Sequence, residues 1–330
     1  MTSFVPDSSF SRFPRASTSK SPAKPTPIQK ALELTLFAVF GCTLVLAGVA
    51  LYATNRPEHR MVPNRVSAGL TSDRVNVLLI GSTTRSIESL MILSIQPSTG
   101  RAALMSFPVD LWVKVGRYGQ RPLRAAYSLG ESAGYPGAGT GLTVDTIEEI
   151  IDEPVHAYAR FSVGDVQRLV DKLDGLEIDV KHGLYDYRAK DRYRLGVQRV
   201  NGARAIRYAY SRSMAGLPAS NRFAREQRQQ DVLLGVMSKA MSTREDVDTL
   251  EPVFGSLAET NLTAEDSDAL VTALRRGEEI RRISFAPYLD SFDVTSVAYQ
   301  GEAVRPRSGD FATLQKIADA ALDTGVARVH

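Results

Sequence analysis

Residues 34–53 run for twenty positions without a charged side chain, and Leu, Val, Phe and Ala fill most of them. A helix of about 20 apolar residues is what a hydrocarbon core of roughly 30 Å requires, and soluble helices rarely go so long without polar punctuation. The pattern predicts one transmembrane helix over 31–54 rather than a buried core helix. A cleaved signal fits less well. Val39-Phe40-Gly41-Cys42 puts a bulky Phe before the Gly, and the apolar run continues past Cys42, where a signal would end.

The flanks of this span set its direction. Residues 1–30 hold seven Ser, five Pro and the bases Arg12, Arg15, Lys20, Lys24 and Lys30 against a single acid, Asp7. Such a segment buries too little apolar area to offset its ordering entropy and reads as a disordered basic tail. Arg56, Arg60 and Arg65 follow the span, so the positive-inside bias favours a cytoplasmic tail. The expectation is a single-pass cell membrane protein whose bulk is extracytoplasmic. Residues 55–73, punctuated by Pro57, Pro63 and Gly69, form a tether.

Beyond the tether the composition is that of a globular domain. Of 330 residues 43% are hydrophobic, and 40 bases against 37 acids leave a formal charge of +3. This excludes collagenous, coiled-coil and wholly disordered chains, and no nucleic-acid partner is expected, because such binders concentrate base in a stripe. One cysteine, Cys42, excludes an intrachain disulfide, and His59, His156, His182 and His330 are too scattered for a zinc module.

Strands are predicted over 75–80, 90–95 and 102–107, with the turn Pro97-Ser98-Thr99-Gly100 between the last two. A helix over 143–151 and a strand over 156–161 follow. Ser162 is a candidate N-cap for a helix with apolar Val163, Val166, Leu169, Val170 and Leu173. A strand over 176–180 precedes helices near 202–208 and 221–241. This alternation predicts an α/β domain, a mixed sheet with helices on both faces.

Several chemistries are excluded. No Gly-x-x-x-x-Gly-Lys-Ser/Thr loop and no Gly-x-Ser-x-Gly elbow occurs. Gly137-Ala138-Gly139-Thr140-Gly141 follows no strand and reads as a flexible loop. The informative cluster lies at 221–230. On a helix at about 100° per residue, Arg222, Arg225, Arg228 and Gln229 fall within an arc of roughly 120°, which Val232, Leu233, Val236 and Ala240 continue. A face that turns from arginine to apolar points the arginines inward, where they need anionic partners. Guanidinium groups suit phosphate oxygens, while a solvated surface face or a set of structural salt bridges remains the other reading.

A family resemblance follows from the strings Leu195-Gly196-Val197-Gln198-Arg199-Val200-Asn201-Gly202 and Ala205-Ile206-Arg207-Tyr208-Ala209-Tyr210-Ser211-Arg212, then Arg225 with Arg228-Gln229-Gln230. Upstream stand Asn76-Val77-Leu78-Leu79-Ile80-Gly81-Ser82, Leu90-Met91-Ile92-Leu93-Ser94-Ile95-Gln96-Pro97, Ser106-Phe107-Pro108-Val109-Asp110 and Ala125-Ala126-Tyr127. Leu169-Val170-Asp171-Lys172-Leu173-Asp174-Gly175-Leu176 and Glu259-Thr260-Asn261-Leu262-Thr263 complete the series. In order and spacing the chain resembles the LytR-CpsA-Psr family over about residues 74–265.

That resemblance implies an α-β-α sandwich with an apolar pocket for a polyprenyl phosphate tail, a core over 74–245, and residues 246–330 completing the domain. It implies transfer of a phosphate-linked glycopolymer from a polyprenyl-pyrophosphate carrier to peptidoglycan or another cell-wall acceptor. Carried over by position, Arg225, Arg228, Arg212 and Asp110 take catalytic places, and Arg85, Arg222 and Gln229 hold phosphate. Glu88 is left as ligand to a magnesium or manganese ion.

The chain departs from the family's pattern at several of these places. The family's Gly-Ser-Asp-x-Arg is here Gly81-Ser82-Thr83-Thr84-Arg85, which loses the acid and keeps the arginine. Arg-Ser-Asp-Thr becomes Ser86-Ile87-Glu88-Ser89, and Pro-Arg-Asp becomes Pro108-Val109-Asp110. Tyr210 replaces the first of two arginines and Arg212 keeps the second. The acid ahead of Arg225 is lost around Asn221 and Arg222. Two readings therefore stand: an active glycopolymer phosphotransferase, or a non-catalytic member that binds polyprenyl phosphates or envelope-assembly partners.

Overall fold

The computed structural model describes residues 62–83, 86–134, 136–215, 222–242, 258–274, 276–277, 280–296 and 299–323. The basic tail, the span over 31–54, most of the tether and Arg85 lie outside the described residues. Among the described residues, no helix is long and apolar enough to cross a membrane.

The strands of the centre are largely apolar rather than alternating, as strands covered on both faces are. In β1 (Val75–Ser82) and β3 (Ala102–Phe107) every position is buried, and in β2 (Ile87–Ile95) all but Glu88 are. Together they form a six-stranded mixed sheet in the order Ala258–Thr260, Ala157–Ser162, β1, β2, β3, Ile280–Ser284. The β1–β2 and β2–β3 pairs are antiparallel, while Ala157–Ser162 runs parallel to β1 and Ile280–Ser284 parallel to β3.

Alternate side chains enter two separate cores. Leu78, Ile80, Ile92 and Met105 pack with Val144, Ile147 and Ile151 of the Ala138–Ile151 helix. Val77, Leu79, Met91 and Leu104 pack on the other face with Leu270 and Ala273 of the Ala264–Leu274 helix. Each such Leu or Ile contributes about 1.5–3 kcal/mol by leaving water. The expected α-β-α layering is present.

Local signals translate well in places. Ser162 caps the Val163–Lys172 helix, its side chain accepting from the Asp165 backbone while Asp165 accepts from the Ser162 N–H. The Gly-rich stretch read as a flexible loop is instead a helix start. Gly137, at φ 77°, is the N-cap, and the helix begins at Ala138. The glycines serve close approach: a Cβ on Gly139 would stand 2.7 Å from the Tyr127 carbonyl of the neighbouring helix.

The helix predicted over 221–241 runs Arg222–Ser242. Its later turns are apolar as expected. Val232 and Val236 enter a third core with the Leu176–Val180 strand and the Gly202–Tyr210 helix, and Leu233 packs against the second. The Ala240 side chain lies outside the described residues. A C-terminal hairpin, Leu289–Ser296 with Tyr299–Pro306, packs beside the helix's first turn.

Candidate functional site

The site forms where β1 ends and β2 begins. The register between them slips at Gly81/Ser82, so that Gly81 faces Ser89 and Ser82 faces Ile87. Bulges of this kind re-aim side chains at sheet edges. Gly81 is required there, because a Cβ would fall 2.2 Å from Ser89 Oγ and 3.1 Å from the Tyr210 hydroxyl. Tyr210 itself is drawn to 3.4 Å from Ser89 Oγ. Glu88 thus emerges at the edge, where it accepts from Ser86 Oγ at 2.6 Å and pairs with Arg212 at 3.2 Å.

Beside this edge a cavity of about 640 Å³ is lined by Asp110, Arg124, Arg212, Arg222, Phe223, Arg225, Ser291, Tyr299 and Glu302. Asp110 follows β3, Arg124 precedes the Ala125–Glu131 helix, and Arg222 and Arg225 occupy the first turn of the Arg222–Ser242 helix. Ser291, Tyr299 and Glu302 come from the C-terminal hairpin. Four guanidinium groups face two carboxylates, Asp110 and Glu302, which leaves a positive surplus.

The pairing within the cavity is uneven. Asp110 is only 9% exposed; it pairs closely with Arg124 and lies 3.9 Å from Arg222. Arg222 reaches Glu302 at 2.6 Å, yet its Nη1 is buried without a hydrogen-bond partner among the described residues. Arg124 also donates to the Tyr299 hydroxyl at 3.1 Å. Arg225 has neither a hydrogen bond nor an ion pair among the described residues. Burial, and then the Arg212 charge beside it, pull its affinity for the proton below that of an ordinary arginine. A half-buried guanidinium fork with no partner among the described residues, set among like charges, suits an anion.

The predicted arginine face divides. Arg222 and Arg225 line the cavity, whereas Arg228 stands at the far end of the arc and meets the Gly202–Tyr210 helix instead. It donates through Nε to the Tyr208 carbonyl at 2.6 Å and through Nη2 to the Ser211 carbonyl at 3.1 Å. These are orphan acceptors at a helix C-terminus, which a cation suits. Burial lowers its pKa to about 10. Gln229 is buried and donates to the Glu88 carbonyl at 3.1 Å, holding the strand that presents Glu88. Arg212 and Asp110 line the cavity, and Arg85 lies outside the described residues.

Glu226 carries no motif signal. It is 7% exposed, with Oε2 unpaired among the described residues, and burial raises its pKa well above the ordinary 4.5 against the pull of Arg225 and Arg222. A neutral acid beside the arginines leaves their charge for an incoming anion. Ser291, Tyr299 and Glu302 carried no signal either, while Arg124 directly precedes the family string Ala125-Ala126-Tyr127.

The metal that the resemblance implies finds a poor donor set here. Glu88 is tied to Arg212 and Asp110 to Arg124, and Thr83 offers only a hydroxyl, which pairs with Ser86. Among the described residues no group of three His, Cys, Asp or Glu side chains could hold a metal ion. The carboxylates near the cavity serve arginines, which does not fit a magnesium shell. The apolar tail pocket is likewise not this cavity, whose lining is mostly charged.

Comparison with known proteins bears on the family and the fold. The model of the LytR_cpsA_psr family matches residues 44–301. A probable cell wall biosynthesis protein, LcpB of Corynebacterium glutamicum, is 27% identical over 221 residues, covering 66% of this chain and 50% of LcpB. The chain thus spans half the length of that relative. The Bacillus subtilis polyisoprenyl-teichoic acid–peptidoglycan teichoic acid transferase TagU is 26% identical over 231 residues, covering 64% of this chain and 71% of TagU. Among solved structures, B. subtilis TagV superposes with a TM-score of 0.59 at 20% identity, over 76% of this chain and 98% of TagV. TagT with bound octaprenyl pyrophosphate gives 0.57 at 20% identity, over 76% and 90%. At that identity the likeness establishes the fold.

Proposed function

The chain belongs to the LytR-CpsA-Psr family, and from that premise we propose that it is a membrane-anchored phosphotransferase of cell-envelope assembly. It moves a phosphate-linked glycopolymer from a polyprenyl-pyrophosphate carrier to peptidoglycan or another wall acceptor. The observation that carries the reading is Arg225, a guanidinium without a hydrogen bond or ion pair among the described residues, in a cavity with three further arginines. TagU is named for such a transfer, and TagT binds octaprenyl pyrophosphate. The extracytoplasmic placement of the domain is part of the same proposal.

In the reaction an acceptor hydroxyl oxygen forms a new bond to the glycan-linked phosphorus. The bridging P–O bond of the pyrophosphate breaks and polyprenyl phosphate departs. Phosphoryl transfer depends mainly on positioning and on neutralising the non-bridging oxygens. Arg225 and the buried free Nη1 of Arg222 supply donors for that charge, and Arg212, released from Glu88, supplies another. Glu88 is the acid that such a release leaves available to receive the acceptor proton.

A second reading, a non-catalytic binder of polyprenyl phosphates, draws on the pairing of Asp110 with Arg124 and of Glu88 with Arg212. Full-length protein given a polyprenyl-pyrophosphate glycan and peptidoglycan separates the two. Release of polyprenyl phosphate with glycan on the wall polymer is expected, and its loss in Arg225→Ala. Binding without release favours the second reading, and no binding rejects both.

A further inference from the structure

Among the described residues, the most exposed large apolar side chains belong to one short stretch. Leu195 is 73% exposed, Val197 68%, Tyr187 58% and Tyr185 39%; elsewhere only Leu70 is comparably open. The stretch is a hairpin, Leu184–Asp186 with Asp191–Tyr193, continued by the Gly196–Val200 strand. Its inward positions, Leu184, Asp186 and Tyr193, are buried. Its outward face carries Tyr185 opposite Arg192, whose guanidinium lies 6.0 Å from the ring centre.

The charge on the hairpin is one-sided, while on the adjoining strand Val197 stands opposite Asp179, which Lys181 pairs. Arg188, Lys190, Arg192 and Arg194 have no carboxylate partner among the described residues. The two acids of the hairpin are turned to internal work: Asp186 accepts from Ser213 Oγ at 2.6 Å, and Asp191 takes Arg204 and Arg207. We propose that this hairpin and strand form a docking surface for a bilayer carrying anionic headgroups, with Leu195, Val197 and Tyr187 entering the interface and the four bases lying among the phosphates.

The mixture of side chains selects that occupant. Aliphatic tips, tyrosines and long basic side chains belong together at a lipid interface, where the stem stays apolar and the head reaches phosphate. A second copy of this chain would bring four like charges face to face, which disfavours it. A glycan strand matches the tyrosines but gains nothing from Leu195 and Val197. Each base near an anionic surface strengthens adhesion by roughly fivefold.

Docking would also locate the cavity. The Tyr187 N–H donates to the Ser213 carbonyl at 3.2 Å, and Ser213 directly follows Arg212, which lines the cavity. A hairpin lying on the membrane therefore holds that arginine close to headgroup level. The surface and the Arg225 site use different residues, so either can fail alone.

The test uses the full chain with Cys42, its one cysteine, changed to Ser, and Leu195→Cys carrying an environment-sensitive fluorophore. In nanodiscs with phosphatidylglycerol the label should shift to the blue and be quenched by spin-labelled lipid tails. In phosphatidylcholine discs, and with the combined Arg188→Gln, Lys190→Gln and Arg194→Gln changes, both effects should largely disappear. A label at exposed Ser308 provides the aqueous reference. The proposal is overturned if the residue-195 label stays as aqueous as that reference in anionic discs, or is shielded equally in both lipids. Shielding by a soluble anionic glycopolymer in the absence of lipid would overturn it in favour of a glycan. Pyrophosphate-lipid binding measured on the same samples reports on the Arg225 site independently.

Discussion

Arg225 and Arg228 stand one turn apart on one helix and have opposite environments: Arg225 faces the cavity with no partner among the described residues, while Arg228 donates to the carbonyls of Tyr208 and Ser211. On the proposed function one serves a ligand, whereas the other holds two helices together, so their alanine variants should differ in kind.

Arg225→Ala should weaken polyprenyl-pyrophosphate binding about ten- to a hundredfold, since hydrogen bonds to charged groups contribute about 1.5–3 kcal/mol and 1.4 kcal/mol is a decade. Its melting temperature should hold or rise, because a buried like-charge neighbour of Arg212 is gone. Calorimetry and thermal melts on one preparation check both. Early melting with wild-type affinity in the folded fraction would reassign Arg225 to structure.

Arg228→Ala should instead cost stability, about 3 kcal/mol, because it leaves buried helix-end carbonyls unpaired. Folded Arg228→Ala should bind pyrophosphate lipid within about threefold of wild type. A hundredfold loss of affinity at unchanged melting temperature would return Arg228 to the anion site.

Glu226 gives a pH signature of definite sign. Its carboxyl holds its proton in the folded state above the pH at which the unfolded chain releases it, near the ordinary 4.5. The unfolded state then binds fewer protons, so this group's effect on stability turns increasingly unfavourable from about pH 4.5 up to the raised pKa. Glu226→Gln should therefore melt higher than wild type at pH 7.5, with the gap closing toward pH 4. A gap independent of pH would reject the buried neutral acid.

Gly81→Ala should destabilise by about 1–3 kcal/mol through overpacking against Ser89, since its new methyl would lie 2.2 Å from Ser89 Oγ. Adding Ser89→Ala should recover part of that loss. Urea unfolding of the single and double variants measures the coupling.

Chelation tests the donor set. With Glu88 and Asp110 already paired to arginines, EDTA should change pyrophosphate-lipid binding by less than about threefold. Loss of binding that magnesium restores would reveal ligands outside the acids described here.

Much of the fold was legible because strands write their burial into the sequence: 102–107, covered on both faces, reads as a largely apolar run, and 176–180, covered on one, alternates, and both match to the residue. The Gly-rich stretch misled because a glycine signals either looseness or close packing, and only the Tyr127 carbonyl beside Gly139 distinguishes them. The site was half legible. Arg225 and Arg222 follow from helical periodicity, but that periodicity places Arg228 on the same arc without saying which neighbour it meets. Ser291, Tyr299 and Glu302 reach the cavity from a hairpin nearly two hundred positions beyond Asp110. No local pattern encodes such a contact, which arises only when the sheet's parallel edge strand brings the C-terminal hairpin round.

Gln230 adds a temporal consequence. Its side-chain amide donates to the Leu104 carbonyl at 3.2 Å, to Ser106 Oγ at 2.8 Å and to the Ile283 carbonyl at 3.2 Å, so it is a rivet through β3 and the strand beside it. That strand, Ile280–Ser284, is made late, after the helix that carries Gln230. A chain made from its N-terminus can therefore seat the arginine helix on β3 first, and it completes the rivet only once residues 280–284 have been added. A ribosome stalled before residue 280 would leave that helix fastened to β3 but without the Ile283 carbonyl that ties it to the neighbouring strand.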